Sequence, residues 1–333
     1  MNKINKTVLA LISFFLFGLV LNFVLGGFSF DLTSIFFIKP DRFNGLISPY
    51  YYSILILLGI NIILSSSLAL INGFTGLFTM GHAGFMAIGA YFSAFIISKF
   101  FGGTPFIVQL VVGLLVGGLA AAISGFMIGF SSLRLSGDYL GMVTLGFSEI
   151  IRILILNIDA VGGARGMTEI PQFINIGAII FLSLATVVII KRIRDSKFGR
   201  AMLAVKENEM AANLMGINPL SIKVKAFVLS SFFAGVAGAC FAHSEGYLST
   251  QTFTFVKSFE IIAMNVIGGL GSLSGAVMGG AILTVLPEAL RKLQDFTGID
   301  LRMVLYSLSM ILIMILKPQG LMGTKEWKWL SSN

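Results

Sequence analysis

Long apolar runs separated by short polar or glycine-rich stretches set the pattern of this chain. Runs near residues 7–26, 50–71, 83–101, 106–130, 139–157, 173–190, 226–244 and 302–316 are candidate membrane spans, since about 20 apolar residues at 1.5 Å rise cross roughly 30 Å of hydrocarbon. They are continuous rather than alternating, which predicts helices and not the strands of a barrel. The first run follows Lys3 and Lys6, is too long for the apolar core of a secretory signal and meets a poor cleavage site at Gly26-Gly27-Phe28, so it reads as an uncleaved first span. Between the last two runs lies FEIIAMNVIGGLGSLSGAVMGGAILTVLPEAL, two short apolar pieces hinged at GGLGS. These are either two full crossings, giving about ten spans, or a re-entrant pair of half-helices, giving about eight. The expected fold is all-α and polytopic, with broken or re-entrant helices among its spans.

Composition narrows the class. Of 333 residues 56% are hydrophobic and 11% charged, with a mean hydropathy of +0.94; a soluble domain carries about 25% charge. Residues 1–333 therefore read as a single transmembrane domain. The lone Cys240 excludes an internal disulfide. The net charge of +8 collects in one connection, 191–225, where Lys191, Arg192, Arg194, Lys197, Arg200, Lys206, Lys223 and Lys225 face only Asp195, Glu207 and Glu209. Such clustering follows the positive-inside rule rather than nucleic-acid binding. It predicts a cytoplasmic loop with the N-terminus on the same side, and Lys317, Lys325 and Lys328 put the C-terminus there too.

Glycine marks two windows, NGFTGLFTMGHAGFMAIGAY at 72–91 and IGGLGSLSGAVMGGAI at 267–282. Small residues let helices pack closely in lipid; equally, a broken helix may not face lipid and so lines a polar pathway. On the second view Gly76, Gly81, His82, Gly84, Gly268, Gly269 and Gly271 are candidate pathway residues. The charged pair Glu149 and Arg152, at i and i+3 inside the fifth run, fits either a clamp between helices or a group on that pathway. Glu260 is a further acidic residue among apolar neighbours.

Candidate chemistry is sparse. His82 and His243 stand in different segments with no ligand-spaced partners, so no metal is expected. There is no G-x-S-x-G elbow, and the dipeptide Gly-Lys does not occur, which rules out a P-loop. The chain reads as a non-enzyme without a cofactor.

The polar island GRAMLAVKENEMAANLMGIN, 199–218, has the marks of a helix: good formers throughout, Gly216 as a C-terminal cap and Pro219 just beyond. A continuous helix puts Leu203, Met210, Leu214 and Ile217 on one stripe, with Asn208, Glu209 and Ala212 on the far side. It is too short and polar to span. It either lies on the bilayer surface or docks on a partner.

ENEMAANLMG resembles the EAA loop of bacterial ABC importer permeases. Glu209, Ala211, Ala212 and Gly216 stand at the motif's acid, alanines and glycine, Glu207 lies just before, and Met210 interrupts the Glu-Ala-Ala run. Five segments, NGFTGLFTMGHAGFMAIGAY, LRLSGDYLGMVTLGFSEIIR, SKFGRAMLAVKENEMAANLMGIN, KAFVLSSFFAGVAGA and EIIAMNVIGGLGSLSGAVMGGAIL, are in this order similar to the LivM type of branched-chain amino-acid ABC transporter permease, over about residues 50–320. Departures are local, Thr250 and Ala276 standing where prolines are expected.

The resemblance implies a permease subunit in a bacterial cytoplasmic membrane, paired with a LivH-like permease, two cytoplasmic ATPases and an extracytoplasmic binding protein. Glu207, Glu209, Ala211, Ala212 and Gly216 would then couple to the ATPase. Rival functions are import of urea, a short amide or another small polar solute, and a secondary carrier working alone.

Overall fold

An apolar medium leaves a chain no partner for its backbone polar groups except itself, and helices supply that partner within each segment. The computed structural model describes residues 49–135, 137–297 and, within 307–330, all but 309, 313, 314, 318, 324, 328 and 329. The expected span at 7–26 lies outside the described residues, and that at 302–316 lies largely outside them. The helices are α1 (Pro49–Leu68), α2 (His82–Ile96), α3 (Phe106–Ser132), α4 (Asp138–Leu156), α5 (Ile176–Asp195), α6 (Lys197–Glu207), α7 (Glu209–Leu214), α8 (Pro219–Glu245), α9 (Phe255–Gly268) and α10 (Leu273–Thr297). Single π-helical turns, Ala69–Gly73 and Ile97–Phe101, extend α1 and α2. Seven of the described helices, α1 to α5, α8 and α10, are long and apolar enough to cross a membrane.

The two pieces around GGLGS are unequal, which departs from both expected arrangements. At 14 residues α9 reaches only about 21 Å, whereas α10 has 25 residues. Local chemistry explains where α9 stops and starts. Its first turn begins where the Glu149 carboxylate accepts from the Phe255 backbone N–H at 3.0 Å, and it ends at Gly269, whose φ of +123° is closed to L side chains.

Burial follows from sequence. The innermost span is α1, apolar all round and enclosed by α5, α8, α9 and α10. A second knot joins α2, α3 and α8 through glycine. A Cβ on Gly117 would come within 2.8 Å of the Gly89 carbonyl, one on Gly235 within 2.5 Å of the Gly117 carbonyl, and one on Gly238 within 2.0 Å of the Met86 carbonyl. The opposite face of α3, carrying Ile107, Val111, Leu115, Leu119, Phe126 and Phe130, is exposed in steps that suit lipid.

At one end of the bundle the α4–α5 and α8–α9 connections close over each other. Met167 and Leu248 form a short antiparallel bridge. The buried His243 ring stacks on Phe173 at 4.1 Å, donates from Nδ1 to the Pro171 carbonyl and meets Ser93 Oγ at Nε2. Both its nitrogens are thus engaged, and it is a packing residue. The other end carries the polar island.

Candidate functional site

The island is two helices, not one. Asn208 leaves helical geometry (φ −156°, ψ 109°), closing α6 and opening α7, and its Oδ1 accepts from the Ala211 N–H at 3.0 Å. An asparagine followed by an acidic first-turn residue is a helix start, and here it competes successfully with the good formers on either side.

The break keeps Met210 and Leu214 on the side opposite Ala212. Ala212, 4% exposed, is the one buried residue of α7, while Met210, Leu214 and Met215 are 81, 89 and 82% exposed. Glu209 pairs with the buried Lys223 ammonium on the second turn of α8 at 2.5 Å. At the far end Gly216 adopts φ +81°, and the Ile217 N–H returns to the Ala212 carbonyl, so the cap expected at Gly216 is present. Pro219 does more than stop a helix: it is the first residue of α8, behind an Asn218 cap. Glu207 and Ala211 are exposed. The segment is therefore a short rod pinned by a small residue and an ion pair, with its larger apolar side chains turned outward.

The first glycine window contains a true break. After Gly73 the chain runs non-helically over 74–81 and is mostly buried. Its backbone groups are met by side chains from distant helices. The Met80 N–H donates to Thr144 Oγ1 at 3.0 Å, and the Ala83 N–H at the start of α2 donates to Ser258 Oγ at 3.2 Å.

His82 is fully buried, with Nε2 2.7 Å from Ser67 Oγ. Because that hydroxyl also lies 2.7 Å from the Leu64 carbonyl, to which it donates, the imidazole N–H is assigned to Nε2. Gly81 and Gly84 provide the close approach to α4: Cβ atoms there would fall 2.7 Å from the Thr144 carbonyl and 2.8 Å from Ser148 Cα.

The candidate residues fall in two places: against α4, and at the α9–α10 turn beside the first break. Gly81, His82 and Gly84 gather against α4, on the turns preceding Glu149. Glu149 and Arg152 form an ion pair at 2.7 Å, each about a quarter exposed, and the second carboxylate oxygen of Glu149 holds the start of α9. That geometry is a clamp between α4 and α9. Glu260 pairs with Lys257 at 3.0 Å.

Gly268, Gly269 and Gly271 make the α9–α10 turn. A Cβ on Gly268 would lie 2.0 Å from the Gly275 carbonyl. This turn meets the first break directly, since a Cβ on Gly73 would be 3.2 Å from the Gly271 nitrogen. Gly76, at φ +73°, sits under the Lys206 side chain.

Several residues at this meeting point gave no sign in sequence. The Lys206 ammonium donates to the Gly73 carbonyl at 2.8 Å. Arg194, at the end of α5, is buried against the Phe74 ring, binds Glu326 and Asp195, and donates to the Leu330 carbonyl. Glu326 in turn accepts from the N–H groups of Leu273 and Ser274, an anion at the N-terminus of α10. These contacts span some 130 residues or, for Glu326 with α10, about 50, distances over which neither periodicity nor local propensity carries a signal.

Comparison with known proteins places the chain among relatives. Residues 50–314 match the family model described as branched-chain amino acid transport system / permease component. The chain is 35% identical over 298 residues, 79% of this chain and 68% of the relative, to the high-affinity branched-chain amino acid transport system permease protein LivM of Escherichia coli. It is 31% identical over 148 residues, 44% of this chain and 46% of the relative, to the corresponding LivH protein of Salmonella typhimurium. Among solved structures, an inward-facing metal-chelate type ABC transporter superposes with a TM-score of 0.47 at 17% identity, covering 94% of this chain and 98% of that one. With most of its length matched by the family model and a LivM protein aligned along four-fifths of it, the chain is a member of the branched-chain amino acid transport system permease family.

Proposed function

We propose that this permease subunit carries branched-chain amino acids across a bacterial inner membrane as half of a translocation pathway, driven by ATP hydrolysed on a separate chain. A second, LivH-like permease forms the other half, two ATPases bind the face that carries α6 and α7, and a binding protein delivers cargo to the opposite face. That arrangement puts the 191–225 connection and both termini in the cytoplasm.

The observation that carries this is the outward apolar face of α7. Met210, Leu214 and Met215 are each more than four-fifths exposed on a rod too short to enter the bilayer, held in place by Ala212 and by Glu209 with Lys223. An apolar helix face presented this way fits a groove on a partner. Glu207, Glu209, Ala211, Ala212 and Gly216 form and orient the docking rod, while Met210, Leu214 and Met215 make the contact.

The route for cargo runs beside the two glycine breaks, where Gly76, Gly81, His82, Gly84, Gly268, Gly269 and Gly271 lie. Glu149 and Arg152 hold its wall. The exposed side of α4, the least enclosed of the described spans, faces the second permease.

The test is association. Leu214→Asp with Met215→Asp removes an apolar anchor of the kind worth about 2 kcal/mol or more, so ATPase binding to the permease pair should weaken roughly 30-fold or more, with insertion into the membrane unchanged. Unaltered ATPase co-purification in that variant would exclude α7 as the docking element.

A further inference from the structure

The docking rod and the two glycine breaks are joined by one side chain. Lys206 is the penultimate residue of α6, two positions before the Asn208 joint. Its ammonium donates to the Gly73 carbonyl at 2.8 Å, one of the carbonyls left without an intrahelical partner where α1 ends. A cation is suited to that position, which carries the negative end of the α1 dipole. The same stem lies beneath the first break, its Cγ 3.0 Å from where a Gly76 Cβ would sit, and its Nζ is 3.6 Å from where a Gly271 Cβ would sit. A single lysine therefore binds the last turn of α1 and lies beside both the non-helical segment leading to α2 and the α9–α10 turn.

The body of α6 is fixed beneath it. Met202 and Val205 are buried, and Gly199 lies against the Arg194 carbonyl so closely that a Cβ there would fall 1.9 Å away. Among the described residues no carboxylate pairs with Lys206 in a salt bridge, so its principal electrostatic partner is the carbonyl that ends α1. Both breaks are hinged on residues at positive φ, Gly76 on one side and Gly269 and Gly271 on the other, and such hinge points absorb backbone rotation.

We infer that Lys206 is the positioning residue that transmits displacement of the docking rod to both membrane breaks at once, by holding the Gly73 carbonyl, whose residue abuts the Gly271 turn. The inference rests on the docking role of α7. It is distinct from that role because Lys206 faces the membrane helices and not the exposed apolar side of the rod. Binding of the ATPase and transmission of its movement therefore separate at this residue.

The experiment uses the assembled transporter in proteoliposomes, with radiolabelled leucine as the probe. Lys206→Met should co-purify with the ATPase at the wild-type level and keep hydrolysing ATP, while leucine uptake per ATP falls at least ten-fold. Lys206→Arg, which keeps a cationic donor, should restore more than a third of the uptake.

A second readout is independent of cargo. In a Cys240→Ser background, Asn72→Cys beside Gly73 reports on the break through its maleimide labelling rate. Trapping the ATPase with ATP and vanadate should change that rate at least three-fold with Lys206 present and leave it unchanged in Lys206→Met. Wild-type uptake or a wild-type labelling response in Lys206→Met overturns the inference, as does equal failure of Lys206→Arg and Lys206→Met with loss of ATPase binding. Absence of leucine uptake in the wild type would count against the cargo assignment alone, with the labelling response still deciding the role of Lys206. Retained association in the Leu214→Asp and Met215→Asp variant would count against the docking role alone.

Discussion

The α2–α3–α8 knot and the junction beneath Gly73 both bring helices together, and do so by different means. In the knot Gly89, Gly117, Gly235 and Gly238 remove side chains so that backbones touch, and dispersion over a dry, close contact holds the helices. In the junction long polar side chains, Lys206, Arg194 and Glu326, reach across gaps and bind carbonyls and N–H groups at helix ends. A backbone contact tolerates no sliding, because any shift meets a carbonyl. A long side chain can follow its partner through a rotation while keeping its hydrogen bond. The expected outcome is that the knot is the more rigid of the two and that any interconversion between two arrangements occurs at the junction.

Substitutions can break or sharpen that contrast. The largest loss should come from the junction. Arg194 and Glu326 are 9 and 11% exposed in their side chains, and removing one member of a buried, hydrogen-bonded pair costs about 3–5 kcal/mol. Arg194→Met should lower the thermal unfolding midpoint in detergent by several degrees, and the double variant Arg194→Met with Glu326→Leu should lose less than the sum of the two single variants, even though Glu326→Leu also frees the Leu273 and Ser274 N–H groups. Strict additivity of the two single effects would show that the pair does not act as a unit.

Next is the knot. Gly238→Ala places a methyl 2.0 Å from a backbone carbonyl, and overpacking of this kind costs about 1–3 kcal/mol. Stability should fall, but uptake per correctly folded molecule should not. A selective loss of uptake at unchanged stability would mean that this region moves.

The smallest effect belongs to the clamp. Arg152 and Glu149 are about a quarter exposed, so Arg152→Met should cost about 1 kcal/mol or less, near the upper end for solvent-screened pairs. Glu149→Met should cost more than Arg152→Met, since Glu149 also caps α9. The reverse order, in chemical denaturation at matched detergent, would show that the ion pair and not the cap holds α9.

Much of this was legible in sequence for a physical reason: span length and glycine placement are local properties. The runs at 50–71, 83–101, 106–130, 139–157, 173–190 and 226–244 each correspond to a helix, with α8 starting earlier because Asn218 and Pro219 initiate it. The Glu149–Arg152 pair was visible as i, i+3 spacing. The Asn208 joint was present in the sequence as a cap followed by an acid, but the helix formers on both sides hid it, while the apolar stripe of Met210 and Leu214 was legible. Lys206 on Gly73, and Arg194 on Glu326, depend on how far-separated segments meet. Among many lysines and arginines in 191–225, nothing local distinguishes those that bind distant segments.

The Asn208 joint has a mechanical meaning of its own. Both rods end on the same residue, so changing the angle between them requires rotation about two backbone torsions and breaks no hydrogen bond inside either rod. A push on the outer rod is thereby received as torque about a fixed pivot, and the lever arm is set by one turn and a half of helix rather than by the pliancy of a loop.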